Sequence, residues 1–454
     1  MLPEDALLGI FDFYVDNAWI EAWHTLAHVC RQWRNAVFGS PRRLKLRLYC
    51  TARTPVRETL DIWLPFPIIV CVSSYDTWGE ENIFAALEHN DRICDLNVFD
   101  IPRSQFEKVL AAMRPPFSAL TRLQLWSRNE TAPVYPDSFL GGSAPGLREL
   151  TLSSIPFPGL PKLLFSTTHL VHFELRCIPH SGYISPDTMV TCLSALTSLE
   201  RLIIEFESSL SRPDRKSQRP PPPTRTLLPV LTKLQFKGVS EYSEDFVARI
   251  DAPLLNNLAI SLFHRSIFDT PQLSQFISRM SNIKTHDEAR VVFFDRAVSV
   301  TLPQTFDGAL KLGISYRKPG WELSSLAQVC SSSALIPAVE HLYILDDGTW
   351  DGIWEWQHRI DNIDNSQWLE LLHPFTAVKD LYISSEFTRC IAPALQELVG
   401  ERVTEVLPVL QTLFLEEPHP SGSVQKTIGQ FVAARQLSGH SIAVRRWERE
   451  IEYW

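Results

Sequence analysis

Apolar and polar positions along most of this chain fall into one recurring six-residue pattern, aliphatic-x-x-aliphatic-x-aliphatic. It starts at Ile93, Leu120, Leu147, Leu170, Leu199, Leu231 and Leu255, and returns at Val339, Val378 and Leu410. The first seven starts are spaced by 27, 27, 23, 29, 32 and 24 residues. Self-similarity at a period of about 20–50 residues marks units that stack side by side, because one unit cannot bury its own apolar face. The last two aliphatic residues of each pattern alternate with polar neighbours, as in a half-buried strand. Stacked units then predict a curved parallel sheet. Helical stretches such as 102–113 and Pro186 to Leu196 are predicted to form the outer, convex layer.

The array is irregular. Arg212 to Thr226 (RPDRKSQRPPPPTRT) is a charged insertion with four consecutive prolines, which lack backbone donors and predict an extended, solvated loop. From Glu288 to Tyr316 three strand-like runs follow so closely that helices do not fit between them. Strands on the convex side are the expectation there. Trp350 to Ile360 (WDGIWEWQHRI) is a further insertion. Val424 to Leu437 reads as a helix, and Ile442-Ala443-Val444 after it as a last unit or cap.

The first 44 residues have a different period. Leu7, Ile10, Phe11 and Tyr14 fall at i, i+3, i+4 and i+7, one apolar helical stripe, with Pro3 suited to its first turn and Glu4 and Asp5 to its positive end. A second helix is predicted from about Ile20 to His28. A third carries Val29, Cys30, Trp33, Ala36 and Val37 and ends at Gly39-Ser40-Pro41. Three helices of this length cannot bury all these faces against one another, so the excess must meet a partner or the rest of the chain.

The start Leu2-Pro3-Glu4-Asp5 and the third helix Val29-Cys30-Arg31-Gln32-Trp33-Arg34 resemble the F-box motif. With Pro41-Arg42-Arg43-Leu44 to Cys50-Thr51, Thr54-Pro55-Val56-Arg57 and the repeats, nearly the full chain resembles the F-box/leucine-rich-repeat proteins expanded in mushroom-forming fungi. The resemblance implies an α/β chain: an F-box at 1–44, a connecting or first capping unit at 45–90, an irregular leucine-rich-repeat solenoid at 91–416 with the Pro-rich loop 212–226, and a C-terminal cap at 417–454. It implies a substrate-recognition subunit of an SCF (cullin–RING) ubiquitin ligase. Leu2, Pro3, Leu7, Ile10, Phe11, Val29, Cys30 and Trp33 would meet a Skp-type adaptor on a cullin scaffold, and the solenoid would hold a protein target. The alternative is a non-ligase repeat scaffold whose N-terminal helices only cap the solenoid.

Composition adds mainly exclusions. The 454 residues carry a formal net charge of −9, unlike most nucleic-acid or anionic-membrane binders. The apolar run Ile62 to Val72 is short and holds Pro65 and Pro67, so it cannot span a bilayer. Eight cysteines without a Cys-x-x-Cys pair, and no basic leader, predict reduced thiols in the cytoplasm or nucleus. His24 and His28 are spaced as a metal pair without a third ligand nearby. Gly141 to Gly146 fails both the nucleophile-elbow and the phosphate-loop patterns, and reads as a turn. Asp346-Asp347-Gly348 lacks the rest of a calcium loop. No cofactor, metal or catalytic constellation is therefore predicted.

The repeat register also names the side chains on the concave face. The central outward residues are Asn97, Gln124, Thr151, Glu174, Ile203, Gln235 and Ala259, then Tyr343, Tyr382 and Phe414. The last three are aromatic in the same register, and aromatic side chains are favoured anchors at interfaces. They are the predicted target-binding residues, with Trp350, Trp354 and Trp356 as a possible extension, unless the C-terminal segment folds over them.

Overall fold

In this computed structural model, the first leucine-type residue of most of the six-residue patterns lies outside the strand, where it closes a turn, although Ile93 opens its own strand. Leu120, Leu147, Leu170, Leu199, Leu231, Leu255, Val339 and Leu410 each donate their backbone N–H to the carbonyl three residues earlier, and their side chains are buried. The strand follows at once. The structure describes residues 6–11, 26, 28–39, 46–62, 65, 67–73, 79–127, 138–210, 224–264, 270–280, 287–303, 309–316, 323–333, 335–346, 363–416 and 422–449. The chain divides into two compact units, Met1–Ile184 with Thr191–Glu207, and Ser185–Val190 with Ser208–Trp454.

In the first unit, seven strands pair in parallel and in chain order: β1 (Leu46–Tyr49), β2 (Ile68–Ser73), β3 (Ile93–Phe99), β4 (Arg122–Trp126), β5 (Glu149–Ser153), β6 (His172–Ile178) and β7 (Arg201–Phe206). Their register aligns Leu48, Val70, Leu96, Leu123, Leu150, Phe173 and Leu202 into one buried ladder. Val72, Val98, Leu125, Leu152, Leu175 and Ile204 form a second. Each entry into a strand is tied to the previous repeat by a backbone bond: Thr121 N–H to Cys94 O (2.8 Å), Arg148 to Thr121 (2.8 Å), Val171 to Arg148 (2.8 Å) and Glu200 to Val171 (2.9 Å). Helices such as Arg103–Ala112 return the chain, burying Phe106, Val109 and Leu110.

Residues 45–90, expected to be a connector or cap, supply β1, β2 and the helices Val56–Ile62 and Glu80–Leu87, so strand–helix units begin before residue 91. Ahead of them, residues 6–11 and 28–29 are helical, and a helix spans Arg31–Gly39. Cys30 stands between two helical segments instead of inside the third helix. It occupies the capping position: its Sγ accepts the Trp33 N–H at 3.5 Å and its carbonyl the Arg34 N–H at 3.0 Å.

The second unit holds β8 (Thr226–Leu227), paired with β10 (Ile250–Asp251), and a longer sheet. That sheet contains β9 (Lys233–Gly238), β11 (Asn257–Phe263), β12 (Glu288–Phe294), β13 (Ala297–Pro303), β14 (Ala309–Ser315), β15 (His341–Asp346), β16 (Asp380–Ile383), β17 (Thr412–Leu415) and β18 (Ala443–Arg446). Its order is β9-β11-β14-β13-β12-β15-β16-β17-β18. The three close runs at 288–316 are thus sheet strands, which corrects their expected place on the convex side. Asp295 and Arg296 alone join β12 to β13, and so short a link permits only a hairpin. β13 lies antiparallel between β12 and β14; burial alternates along β12, while β13 and β14 are buried on both faces over part of their length. Gly313 lets β13 and β14 approach, since a Cβ there would lie 3.1 Å from Ser299 Cβ. Of the Pro-rich insertion, 212–223 lie outside the described residues, while Thr226 at its end is paired in β8.

In both units the arrangement is that expected of a leucine-rich-repeat solenoid: stacked, mostly parallel strands returned by helices. Of residues 417–454, expected as a cap, the described 422–449 add one more rung. The helix Gly422–Leu437 leads to β18, whose Val444 is in register with Leu413. Arg435 fixes this helix. Its side chain is fully buried, and it donates to the carbonyls of Val406 (2.7 Å) and Leu407 (3.0 Å) across the turn where Leu407 takes a positive φ of 52°. Burial pulls its pKa below the ordinary guanidinium value. Replacing it by Met keeps the volume but leaves those carbonyls unpaired. Arg435→Met is expected to lower stability by about 2–4 kcal/mol in urea unfolding. A loss below about 0.5 kcal/mol, the size of an ordinary surface change, would show that the guanidinium does not hold the turn.

Candidate functional site: an aromatic stack on the sheet face

Strand pairing in the second unit puts Tyr343, Tyr382 and Phe414 directly side by side. Parallel strands lie about 4.8 Å apart, close to the stacking distance of planar rings, so identical register makes a face-to-face column. The ring centroids of Tyr343 and Tyr382 are 4.2 Å apart at 10°, and those of Tyr382 and Phe414 are 4.3 Å apart at 6°. The same row runs from Arg290 on β12, whose guanidinium sits 5.8 Å from the Tyr343 ring centre, to Arg445 on β18, in register with Phe414. Two residues earlier on the strands, His341 Nδ1 lies 3.0 Å from Asp380 Oδ2, and Glu288 accepts from Arg290 at 2.5 Å.

The column is half-buried, where sequence reasoning expected it to be fully exposed unless covered. The segment after β18 provides part of the cover. Trp447 stands edge-on to Tyr343 (5.9 Å, 63°) and Tyr382 (5.6 Å, 73°). Burial, with Tyr382 and Glu288 nearby, pushes the Tyr343 phenol well above its ordinary pKa, and burial and Asp380 push up Tyr382. Sequence reasoning missed Trp447 and Arg449. Continuing the repeat count by one rung would have found Trp447, because alternation from Arg445 returns it to the same face.

The outward face of the first unit is different. Arg122 holds Glu149 with two bonds, 2.6 and 2.8 Å, and lies 3.8 Å from Asp95. Arg176 bridges Glu174 (3.0 Å) and Glu205 (3.2 Å), and Arg201 reaches Glu174 at 3.0 Å. The Arg122 hydrogen bonds hold the Glu149 carboxyl below its usual range. Each such half-exposed pair contributes only about 0–1 kcal/mol. Most of the paired residues, Asp95, Arg122, Glu149 and Arg201, form the outward row two residues before the predicted Asn97, Gln124 and Thr151, and of the predicted row only Glu174 takes part in these pairs. Ile203 shares the register but is buried.

The N-terminal candidates separate into two groups. Leu7 (1% exposed) and Phe11 (5%) are buried in the chain itself, one of the two places expected for their apolar faces; the Phe11 and Trp33 rings meet edge-on at 5.0 Å. Ile10 (45%) and Val29 (55%) are exposed, as is Cys30. Leu2 and Pro3 lie outside the described residues, as do His24 and the tryptophans at 350, 354 and 356. Cys50, Cys94, Cys192 and Cys330 are buried, and burial pushes the Cys192 thiol up to about 11. A hydroxyl–imidazole pair, Ser325 Oγ to His264 Nδ1 at 3.2 Å, has its serine buried on the helix Leu323–Ser331, where it packs the interior. Among the described residues no group of three His, Cys, Asp or Glu could hold a metal, and no helix is long and apolar enough to cross a membrane.

No protein-family model and no curated protein matches the chain. Among solved structures it is similar to the leucine-rich repeat-containing protein LegL7 from Legionella pneumophila. That match has 13% identity and a TM-score of 0.26, over 87% of this chain and 98% of the other.

The raised tyrosine pKa values give the stack a pH signature. A phenol raised in the folded state contributes stability that is complete below its ordinary value of 10.0 and is lost as pH rises above it. Phenolate absorbance is therefore expected to show Tyr343 and Tyr382 ionising later than free tyrosine. Thermal stability should be flat in this respect up to about pH 9 and fall above about pH 10, more than in Tyr343→Phe/Tyr382→Phe. Equal alkaline losses in both proteins would show that the stacked phenols are not the cause.

Proposed function

We propose that the chain is the substrate-recognition subunit of an SCF (cullin–RING) ubiquitin ligase, acting in the cytoplasm or nucleus. The N-terminal helices dock on a Skp-type adaptor held by a cullin, and the repeat sheet holds a protein target. The chain performs no chemistry itself. It raises the effective concentration of a target lysine near the charged ubiquitin-conjugating enzyme, so positioning is its whole contribution.

One observation carries this reading. The F-box-like segment buries Leu7, Phe11 and Leu26 yet leaves Ile10 and Val29 in solvent. An isolated domain gains nothing from that exposure, whereas a docking helix needs it. The target side rests on Tyr343, Tyr382 and Phe414, whose rigid rings present apolar area with little rotamer entropy to lose. The burial of Leu7 and Phe11 within the chain favours a second reading, a non-ligase repeat scaffold capped by these helices.

Adaptor co-purification separates the two. Wild-type chain is expected to bring down the Skp-type adaptor and cullin. Ile10→Asp/Val29→Asp, which alters exposed positions, should abolish capture while leaving the circular dichroism unchanged. The desolvated charges should cost at least about 3 kcal/mol of interface energy. Failure of the wild-type chain to retain adaptor, under conditions where another F-box protein does, would leave the scaffold reading.

A further inference from the structure

The segment after β18 lies on the recognition face in a way that describes a ligand. The Trp447 N–H donates to Leu415 O at 2.9 Å, which continues the edge pairing of β18 for one residue. Its ring then rests edge-on against Tyr343 and Tyr382. Two residues on, Arg449 places Nη1 2.9 Å from Asp346 Oδ2 and Nη2 2.6 Å from the Asp346 carbonyl. Asp346 is only 8% exposed, and a carboxylate that deep needs a cation or donors to remain charged. Its side-chain and main-chain oxygens form a two-point acceptor that fits the fork of a guanidinium better than the single point of an ammonium. Glu448 between the anchors is exposed and pairs with Arg446 at 3.1 Å.

This segment is lightly held. All four residues of β18 are exposed, and Trp447 and Arg449 anchor the residues after it. Segments with so little buried area open at low cost. The stack beneath stays half-exposed with Trp447 in place, so a better-fitting ring has surface left to gain.

Taking this face as the target site proposed above, we propose that Trp447-Glu448-Arg449 is an intramolecular stand-in for the target. The target then presents an extended aromatic-x-arginine segment that displaces it, with the ring on Tyr343 and Tyr382 and the guanidinium on Asp346. Self-occupancy lowers the apparent affinity by the fraction of chains that are open, so recognition rewards targets with additional contacts.

The test uses the full chain and a fluorescein-labelled synthetic peptide copying residues 443–449 (AVRRWER), read by fluorescence anisotropy. Trp447→Ala/Arg449→Ala, which frees the face, is expected to bind this peptide about tenfold more tightly than wild type. Peptides carrying Trp447→Ala or Arg449→Lys should each bind the freed chain about tenfold more weakly, and so should the original peptide on a freed chain that also carries Asp346→Asn. If the double variant does not fold, Arg449→Lys alone provides the freed chain. Equal peptide binding to wild-type and freed chains, or indifference to Arg449→Lys in the peptide, overturns the stand-in. A second arm follows target capture by adaptor-bound chain with Tyr343, Tyr382 and Phe414 all changed to Ser. Lost capture with no peptide binding overturns the aromatic-x-arginine assignment and leaves the recognition face standing. Unchanged capture overturns both.

Discussion

In-register stacking is the constraint on which the rest of this structure depends. A single unit of about 27 residues presents an aliphatic row that it cannot cover, so each rung needs its neighbours. The buried ladder from Leu48 to Leu202 meets that need in the first unit, and Leu342, Leu381 and Leu413 form a ladder of their own in the last rungs of the second. The backbone bond into each strand sets the phase. In the second unit, Lys379 N–H to Glu340 O at 2.8 Å and Gln411 N–H to Lys379 O at 2.7 Å do for late rungs what Arg148 and Thr121 do in the first. Slipping one residue would turn every buried leucine outward, so the phase is strongly held.

The opposite face inherits this phase without being selected for burial. Residues 39 and about 30 positions apart in sequence become touching neighbours, and what they are decides what the face can do. Where the face carries Arg, Glu and Asp, as on β3 to β7, it closes on itself in ion pairs. Where it carries three rings, it becomes a rigid apolar column flanked by Arg290 and Arg445. Self-paired charges offer little to a partner of either sign, whereas a half-buried ring column retains surface that water solvates poorly.

Much of this was legible in the sequence because the pattern and the physics share a period. The strands at Arg122–Trp126, Glu149–Ser153 and His172–Ile178 fall where the aliphatic alternation predicts them, and the column of Tyr343, Tyr382 and Phe414 follows from register alone. The hairpin at 288–303 was not legible as part of the sheet. Alternation identifies a strand but not its neighbours, and repeat reasoning assumes one strand per unit. Burial of Leu7 and Phe11 was hidden for a similar reason: a helical stripe shows that a face is covered, not by what. Arg449 on Asp346 joins positions 103 apart, and no local pattern encodes such a pair.

The central claim divides labour between an adaptor-binding N-terminal segment and a separate recognition face on the sheet. Hydrogen–deuterium exchange of the full chain, alone and with Skp-type adaptor, tests it most directly. The account predicts slowed exchange at 6–11 and 28–39 on adaptor binding, with the strands at 343–346, 380–383 and 412–415 unchanged. Slowing on those strands instead, or none in either region, would contradict it.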